Sequence, residues 1–340
     1  MKILFCSVPF RPSIGGIETV SSLLAEQFHR QGHHVTLLTQ TPFDGVDEEP
    51  YPVVRSASAA RLCALVADAD VVFHNNISLR MGWPLLVMPR KHWVVAHHTW
   101  LPRTGAGRLK RALLRRASNI TVSRAMADDL PLPAQVLPNP YRSELFCRMD
   151  AVPRDRDIVF LGRLVSDKGV SVLVDALGEL ARAGLRPSVT LVGDGPEEAA
   201  LRAQVARLGL AGQVQFAGRQ DGQALVRLLN AHRLLVVPSV WEEPFGLVAL
   251  EGLACGCVPV VTRSGGLPEA VGRCGVVFNK GSAPGLARAL ARLLQNPAAQ
   301  HNLLAHAPEH LARHRPEAVA TAYLEVFRHA APPHRTALAA

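Results

Sequence analysis

The chain has 340 residues, 48% of them hydrophobic, with a net charge of +9 and a pI near 9.7. That length exceeds one ordinary domain and suits two of about 150 to 170 residues, each able to bury a core. No apolar run approaches the roughly 18 residues needed to span a bilayer, and the basic balance calls for an anionic partner, whether nucleic acid, phospholipid or a phosphorylated small molecule.

The first residues, Met1-Lys-Ile-Leu-Phe-Cys-Ser-Val, read as a short buried strand without a cleavage site after it, so synthesis in the cytosol is expected. Gly15-Gly16 then opens a helix over 17–31, and His34–Leu38 forms a second strand. The glycines allow a phosphate or sugar to touch the backbone, but their spacing is not the G-x-G-x-x-G dinucleotide fingerprint. The alternation continues through a helix at 58–67, strands at 71–74 and 93–97, a helix at 107–117, and strands at 120–122 and 135–137. Strands separated by helices imply a parallel sheet covered on both faces, with ligands gathering at the carboxyl ends of the strands. His74, Asn75, His97, His98 and Asn139 fall at those ends. Asp68-Ala-Asp70 resembles a metal-binding D-x-D but sits where a helix hands over to a strand, and reads as turn chemistry.

Seven cations between Arg103 and Arg124 occur without an acid, and within them Leu109, Ala112, Leu113 and Leu114 recur at helical intervals. Arg108–Arg116 is therefore either a basic amphipathic helix suited to an anionic membrane surface or the solvated face of a helix packed on the sheet. No aromatic residue lies between Trp100 and Tyr141, which argues against nucleic acid. Six scattered cysteines form no C-x-x-C pair or zinc-spaced set and read as buried reduced thiols.

A polar, proline-bracketed linker is expected at about 141–156, between a first domain of residues 1–145 and a second of 146–315. The second contains strands at 158–162, 188–192, 214–216, 234–237 and 258–261, with helices at about 170–183, 196–208, 221–230 and 247–254. Residues 284–295 and 316–329 form further helices, the last able to pack back on the first domain, and Ala331-Pro-Pro-His-Arg reads as a frayed tail.

Two segments of the second domain carry chemistry. Gly162-Arg-Leu-Val-Ser-Asp-Lys-Gly169 puts Arg163 and Lys168 at a strand's carboxyl end, where two cations suit a diphosphate. The Walker order is not met. In Glu243-Pro-Phe-Gly-Leu-Val-Ala-Leu-Glu251, Pro244 and Gly246 mark a helix start with Glu243 just outside it and Glu251 about two turns inside. The N–H groups of Phe245, Gly246 and Leu247 offer an anion or hydroxyl site there. Gly193-Asp-Gly195 is another glycine turn at the same edge.

Together these elements resemble the retaining glycosyltransferases of family 4. The motifs are Gly15-Gly16-Ile17-Glu18, Asn139, Gly162-Arg163 with Lys168-Gly169, Gly193-x-Gly195, Pro238-Ser239, and Glu243-Pro-Phe-Gly with Glu251. The resemblance implies the GT-B fold, two doubly wound Rossmann-like domains with an interdomain cleft. It implies a donor nucleotide sugar of UDP or GDP type, with Arg163 and Lys168 on the diphosphate and Glu251 on the ribose. Glu243 and the Phe245–Leu247 amides would hold the sugar, with Gly15, Gly16, Gly162 and Gly193 lining the donor. His98 would reach the transferred sugar, and His74, Asn75, His97 and Asn139 would face the acceptor, a saccharide or lipid-linked saccharide. Arg163, Lys168, Glu243 and His98 are thus the expected catalytic set, with no metal or cofactor and a role in cell-envelope polysaccharide or glycolipid synthesis. Where the family commonly has N-G after the first sheet, this chain has Asn139-Pro140-Tyr141. The residues also admit an epimerase or sugar phosphorylase on the same architecture, or a non-catalytic basic scaffold.

Overall fold

A computed structural model describes residues 1–13 and 15–330; the tail expected over 331–335 lies outside the described residues. The chain divides into two compact units. One comprises Met1–Pro140 with the chain from His314 onward, the other Tyr141–Arg313. The polar segment taken as a linker therefore falls with the second unit, up to its first strand at Arg156.

The first unit holds seven parallel strands: β1 (Lys2–Ser7), β2 (His34–Thr39), β3 (Val53–Arg55), β4 (Val71–Asn75), β5 (His92–His97), β6 (Ser118–Thr121) and β7 (Ala134–Val136), in the order β3-β2-β1-β4-β5-β6-β7. The second holds β8 (Arg156–Leu161), β9 (Val189–Val192), β10 (Val214–Gly218), β11 (His232–Val237), β12 (Val258–Thr262) and β13 (Val276–Phe278), ordered β10-β9-β8-β11-β12-β13. Every pairing is parallel, and the central strands read as unbroken apolar runs because helices cover both faces. The strand order reverses between β1 and β4 in one sheet and between β8 and β11 in the other. At such reversals the helices that follow the two strands go to opposite faces of the sheet, and in open α/β sheets ligands bind beyond the strands' carboxyl ends there.

Two short strands escaped the sequence pattern, β3 and β13, as did small helices such as Leu79–Gly82, Pro84–Val87 and Leu267–Val271. All are too brief for a period to register. The last helix, Pro316–Ala330, packs on the Gly16–Arg30 helix of the first unit. The contact is aromatic: Phe28 and Phe73 lie 5.3 and 5.2 Å by ring centroid from Phe327, and Tyr323 lies 5.6 Å from Phe73. All four rings are fully buried, so each contributes both area and edge-to-face geometry.

Asp68 and Asp70 are both engaged by Lys2. Its ammonium pairs with Asp68 at 2.6 Å and its backbone N–H donates to Asp70 at 2.8 Å, which ties the end of the Ala59–Asp68 helix to β1. Among the cysteines, Cys6, Cys255, Cys257 and Cys274 are buried, but Cys147 is exposed and Cys63 partly so, which corrects the expectation that all six are buried.

Candidate active site

In the second unit, β8 and β11 are hydrogen-bonded neighbours, with Phe160 opposite Val236. The loop after β8 runs Gly162 to Gly169 and ends in a single 3-10 turn, Ser166–Lys168. The loop after β11 carries Pro238, Ser239 and Glu243. Because the strands are adjacent and parallel, both loops leave the same edge, and they are stitched together there. Val240 and Trp241 donate their N–H groups to the Asp167 carbonyl at 2.9 and 3.2 Å.

This stitching brings Lys168 and Glu243 into contact. The ammonium lies 2.6 Å from Glu243 Oε1, with the lysine about one-third and the glutamate one-seventh exposed. Ser239 Oγ sits 2.8 Å from the same carboxylate oxygen, on its own loop, and 2.9 Å from the Asp167 carbonyl on the other, so its one proton is shared between these two acceptors. Pattern reading placed Ser239 at the strand end without assigning it a part. The close approach also explains Gly169: its φ is +66°, and a Cβ would lie 2.1 Å from the Pro238 carbonyl oxygen. Only glycine fits both constraints. Arg163 lies on the same loop with an exposed side chain. Gly162 and Gly193 meet beside it, Gly162 donating its N–H to the Val192 carbonyl at 3.0 Å.

The Leu247–Ala254 helix begins with Gly246 at its N-cap, φ +123°, and no side chain caps it. Pro244 stands outside the helix, and Glu251 is one turn inside rather than two. A Cβ on Gly246 would fall 2.5 Å from Leu267 Cδ2, so this glycine serves helix packing as well as leaving the backbone bare. Gly256, φ +85°, ends the helix: Cys257 N–H donates to the Gly252 carbonyl and Gly256 N–H to that of Leu253, both at 2.9 Å, a Schellman close. Glu242, unassigned by the sequence, pairs with Lys280 and accepts the Gly265 N–H at 2.7 Å, and the lysine holds its carboxyl below the usual range.

Glu251 is only 9% exposed. Burial disfavours its charged form and raises its pKa to about 7, while the Arg142 charge pulls modestly the other way.

The first unit gathers a different group at its own reversal. Asn75, ending β4, donates to Ser21 Oγ at 2.6 Å, and Ser21 meets Ser7 at 2.7 Å; both serines and Asn75 are buried. Gly15 is the extended N-cap of the Gly16–Arg30 helix. Trp93 donates its indole N–H to His74 Nδ1 at 3.0 Å, which leaves His74 its Nε2–H and locks the ring in the core. His97 pairs with Asn119 at 3.1 Å, and the His98 N–H donates to Asn76 Oδ1 at 2.7 Å. Burial lowers the pKa of His74 and of His98 to about 3, so both rings are neutral at ordinary pH. His98 Nε2, His74 Nε2, Asn75 Oδ1 and Asn139 Oδ1 are buried polar atoms without a protein partner, while the Asn139 carbonyl faces His314 Nδ1 at 3.2 Å. The predicted residues thus form two groups, one per unit: Lys168, Glu243, Phe245, Gly246, Leu247 and Glu251 with Gly162, Arg163 and Gly193, and separately Gly15, Gly16, His74, Asn75, His97, His98 and Asn139.

Residues 148–310 match the family model described as glycosyl transferases group 1, and residues 14–141 match the one described as glycosyltransferase family 4. Each of the two models thus falls on one of the chain's two units, and both describe glycosyltransferases. It is 27% identical to glycogen synthase of Mycobacterium tuberculosis over an alignment of 396 residues, covering 96% of this chain and 94% of that protein. It is 37% identical to 2-deoxystreptamine glucosyltransferase of Streptomyces kanamyceticus over 145 residues, 42% of this chain and 37% of that one. The structure of Anabaena HepE in complex with UDP and glucose superposes with a TM-score of 0.77 at 22% identity, covering 96% of this chain and 99% of the other. The chain therefore has the GT-B fold of two Rossmann-like domains.

The buried Glu251 generates a pH dependence. Its folded pKa, about 7, lies above the ordinary 4.5, so between those values the folded state holds a proton that the unfolded state has lost. Stability from this group is undiminished below pH 4.5, falls as pH rises, and levels off above about 7. In urea unfolding, wild type should lose on the order of 3 kcal/mol relative to Glu251→Gln across that window; a pH-independent difference between the two would contradict the assignment.

Proposed function

We propose that this glycosyltransferase is a retaining family 4 enzyme that moves a sugar from a UDP- or GDP-type donor to a saccharide or lipid-linked saccharide in cell-envelope polysaccharide or glycolipid synthesis. The observation that carries the reading is the Lys168–Glu243–Ser239 contact at the β8/β11 reversal, beside the uncapped helix that contains Glu251. The complex of HepE with UDP and glucose supports a nucleotide-sugar donor.

Breaking a sugar–phosphate bond concentrates negative charge on the departing diphosphate, so cations and helix-end N–H groups fixed in advance lower the barrier most. Lys168 and Arg163 take that role, and Gly162 and Gly193 keep the backbone close. Without ligand, Lys168 and Glu243 neutralise one another. A diphosphate drawing the ammonium away frees the Glu243 carboxylate to accept from sugar hydroxyls, together with the Phe245–Leu247 backbone. Glu251, able to be protonated or ionised near neutrality, faces the ribose hydroxyls. The C1–O bond to phosphate breaks as the acceptor oxygen bonds to C1 on the same face, and the acceptor's proton passes to the leaving phosphate oxygen. His98, neutral, hydrogen-bonds the transferred sugar without adding charge. Gly15 and Gly16 admit the donor to the first-unit loop, and His74, Asn75, His97 and Asn139 serve the acceptor side, where unpartnered buried polar atoms suit hydroxyl groups.

Lys168→Ala should reduce turnover by several orders of magnitude while leaving the unfolding transition in place. Near-normal turnover by the purified variant with its true substrates would remove the lysine from catalysis. Because protein cations stabilise the leaving group in this account, activity should persist in excess EDTA; a strict requirement for Mn²⁺ would contradict it.

The enzyme is also proposed to work at the cytoplasmic face of a membrane. Arg108, Lys110, Arg111, Arg115 and Arg116 lie on or just after the Ala106–Leu114 helix, shorter than the 107–117 expected. Arg116 donates to the Leu85 carbonyl at 3.1 Å, joining this region to the Pro84–Val87 turn of helix. Leu86, Val87 and Leu109 are 50, 66 and 55% exposed, large apolar residues on the same two segments that carry or contact this basic run. Leu86→Glu with Val87→Glu should abolish co-flotation with vesicles of phosphatidylcholine and phosphatidylglycerol, and undiminished flotation would take this surface out of the account.

A further inference from the structure

The second unit has another cavity, at the opposite edge of its sheet from Lys168 and Glu243. Those two follow the carboxyl ends of β8 and β11, whereas this cavity, of about 450 Å³, is lined by Val276, the first residue of β13. All strands of the sheet run parallel, so the amino end of β13 lies away from the donor-side loops. Its remaining walls come from the Ala283–Leu294 helix, the Pro297–Leu304 helix and the 3-10 turn Gly272–Cys274.

The lining divides into an apolar floor and a basic rim. Leu293, Ala299 and Leu303 supply the floor, and Arg273, Arg292, Asn302 and His306 supply the rim. Among the described residues, no acid lines the cavity. Glu309, one turn beyond His306, is bridged instead by Arg313. Among the described residues, neither Arg273 nor Arg292 has an ion-pair or side-chain hydrogen-bond partner. Two exposed guanidiniums on one rim present forked donors that match the oxygens of a phosphate. The volume falls within the range of small-molecule sites, and the floor requires an apolar portion as well.

We propose that this cavity is a second ligand site, separate from the donor site, for a phosphate monoester attached to an apolar body. Arg273 and Arg292 hold the phosphate, with His306 and Asn302 as additional donors, and the apolar body lies on Leu293, Ala299 and Leu303. The phosphate could come from a soluble metabolite or from a lipid headgroup, which share this chemistry.

Octyl phosphate below its micellar concentration is the probe, followed by titration calorimetry on the full chain. It should bind wild type at least tenfold more tightly than inorganic phosphate or octanol does. Arg273→Gln with Arg292→Gln, both at exposed positions, should weaken it at least tenfold. Ala299→Phe, which fills the floor and leaves the charges, should weaken it similarly, and Lys168→Ala should leave it unchanged. Binding to phosphatidic-acid vesicles that depends on the two arginines would identify a lipid source, and binding of the soluble probe alone a free metabolite. Absence of binding to wild type, binding indifferent to both cavity variants, or binding lost in Lys168→Ala would overturn the assignment.

Discussion

The adjacency of β8 and β11 is the constraint on which the candidate active site depends. Parallel pairing puts their carboxyl ends side by side, at the point where the strand order reverses. The Asp167 carbonyl, accepting from Val240 and Trp241, then fixes the loops at a separation where Lys168 reaches Glu243. A glycine at position 169 is the steric condition for that separation. The ion pair itself is partly solvated, and pairs of that kind contribute little to folding. In the proposed function its importance is chemical: it holds a cation and a carboxylate together where a charged polyhydroxyl ligand would exchange with both.

The first unit uses burial where the second uses charge. A core of Phe28, Phe73, Tyr323 and Phe327 clamps the last helix to the sheet that carries His74, Asn75, His97 and His98. Trp93, Asn119 and Asn76 fix the three histidines through one contact each. Held neutral by desolvation, the rings of His74 and His98 can donate or accept hydrogen bonds without carrying a charge. That suits recognition of hydroxyls, and in the proposed function the cationic part falls to Lys168 and Arg163.

Much of this was legible because long apolar runs and glycine turns have a strong period. The two-domain α/β architecture followed from alternation alone, and the Leu247–Ala254 helix has the bounds its spacing suggested. The short elements β3, β13 and Leu267–Val271 were not legible, since three to five residues carry no period. Nor could spacing reveal contacts across distant segments, such as Lys168 with Glu243, Ser239 with Asp167, or Arg142 near Glu251. Counting from Pro244 sets Glu251 about two turns deep, whereas the first helical residue is Leu247 and Glu251 lies one turn beyond it. Gly246 illustrates a second limit: its motif suggests ligand approach, and the structure adds a packing demand from Leu267 that no local pattern records.

The central claim is that the Lys168–Glu243 crevice receives a nucleotide sugar. A thermal-shift panel of UDP-, GDP-, ADP- and TDP-linked sugars, run in parallel on wild type and Lys168→Ala, tests it most directly. The account predicts that at least one raises the wild-type Tm in a concentration-dependent manner and that the variant loses most of the shift. A panel in which none stabilises the wild type, or in which the variant is stabilised equally, would contradict it.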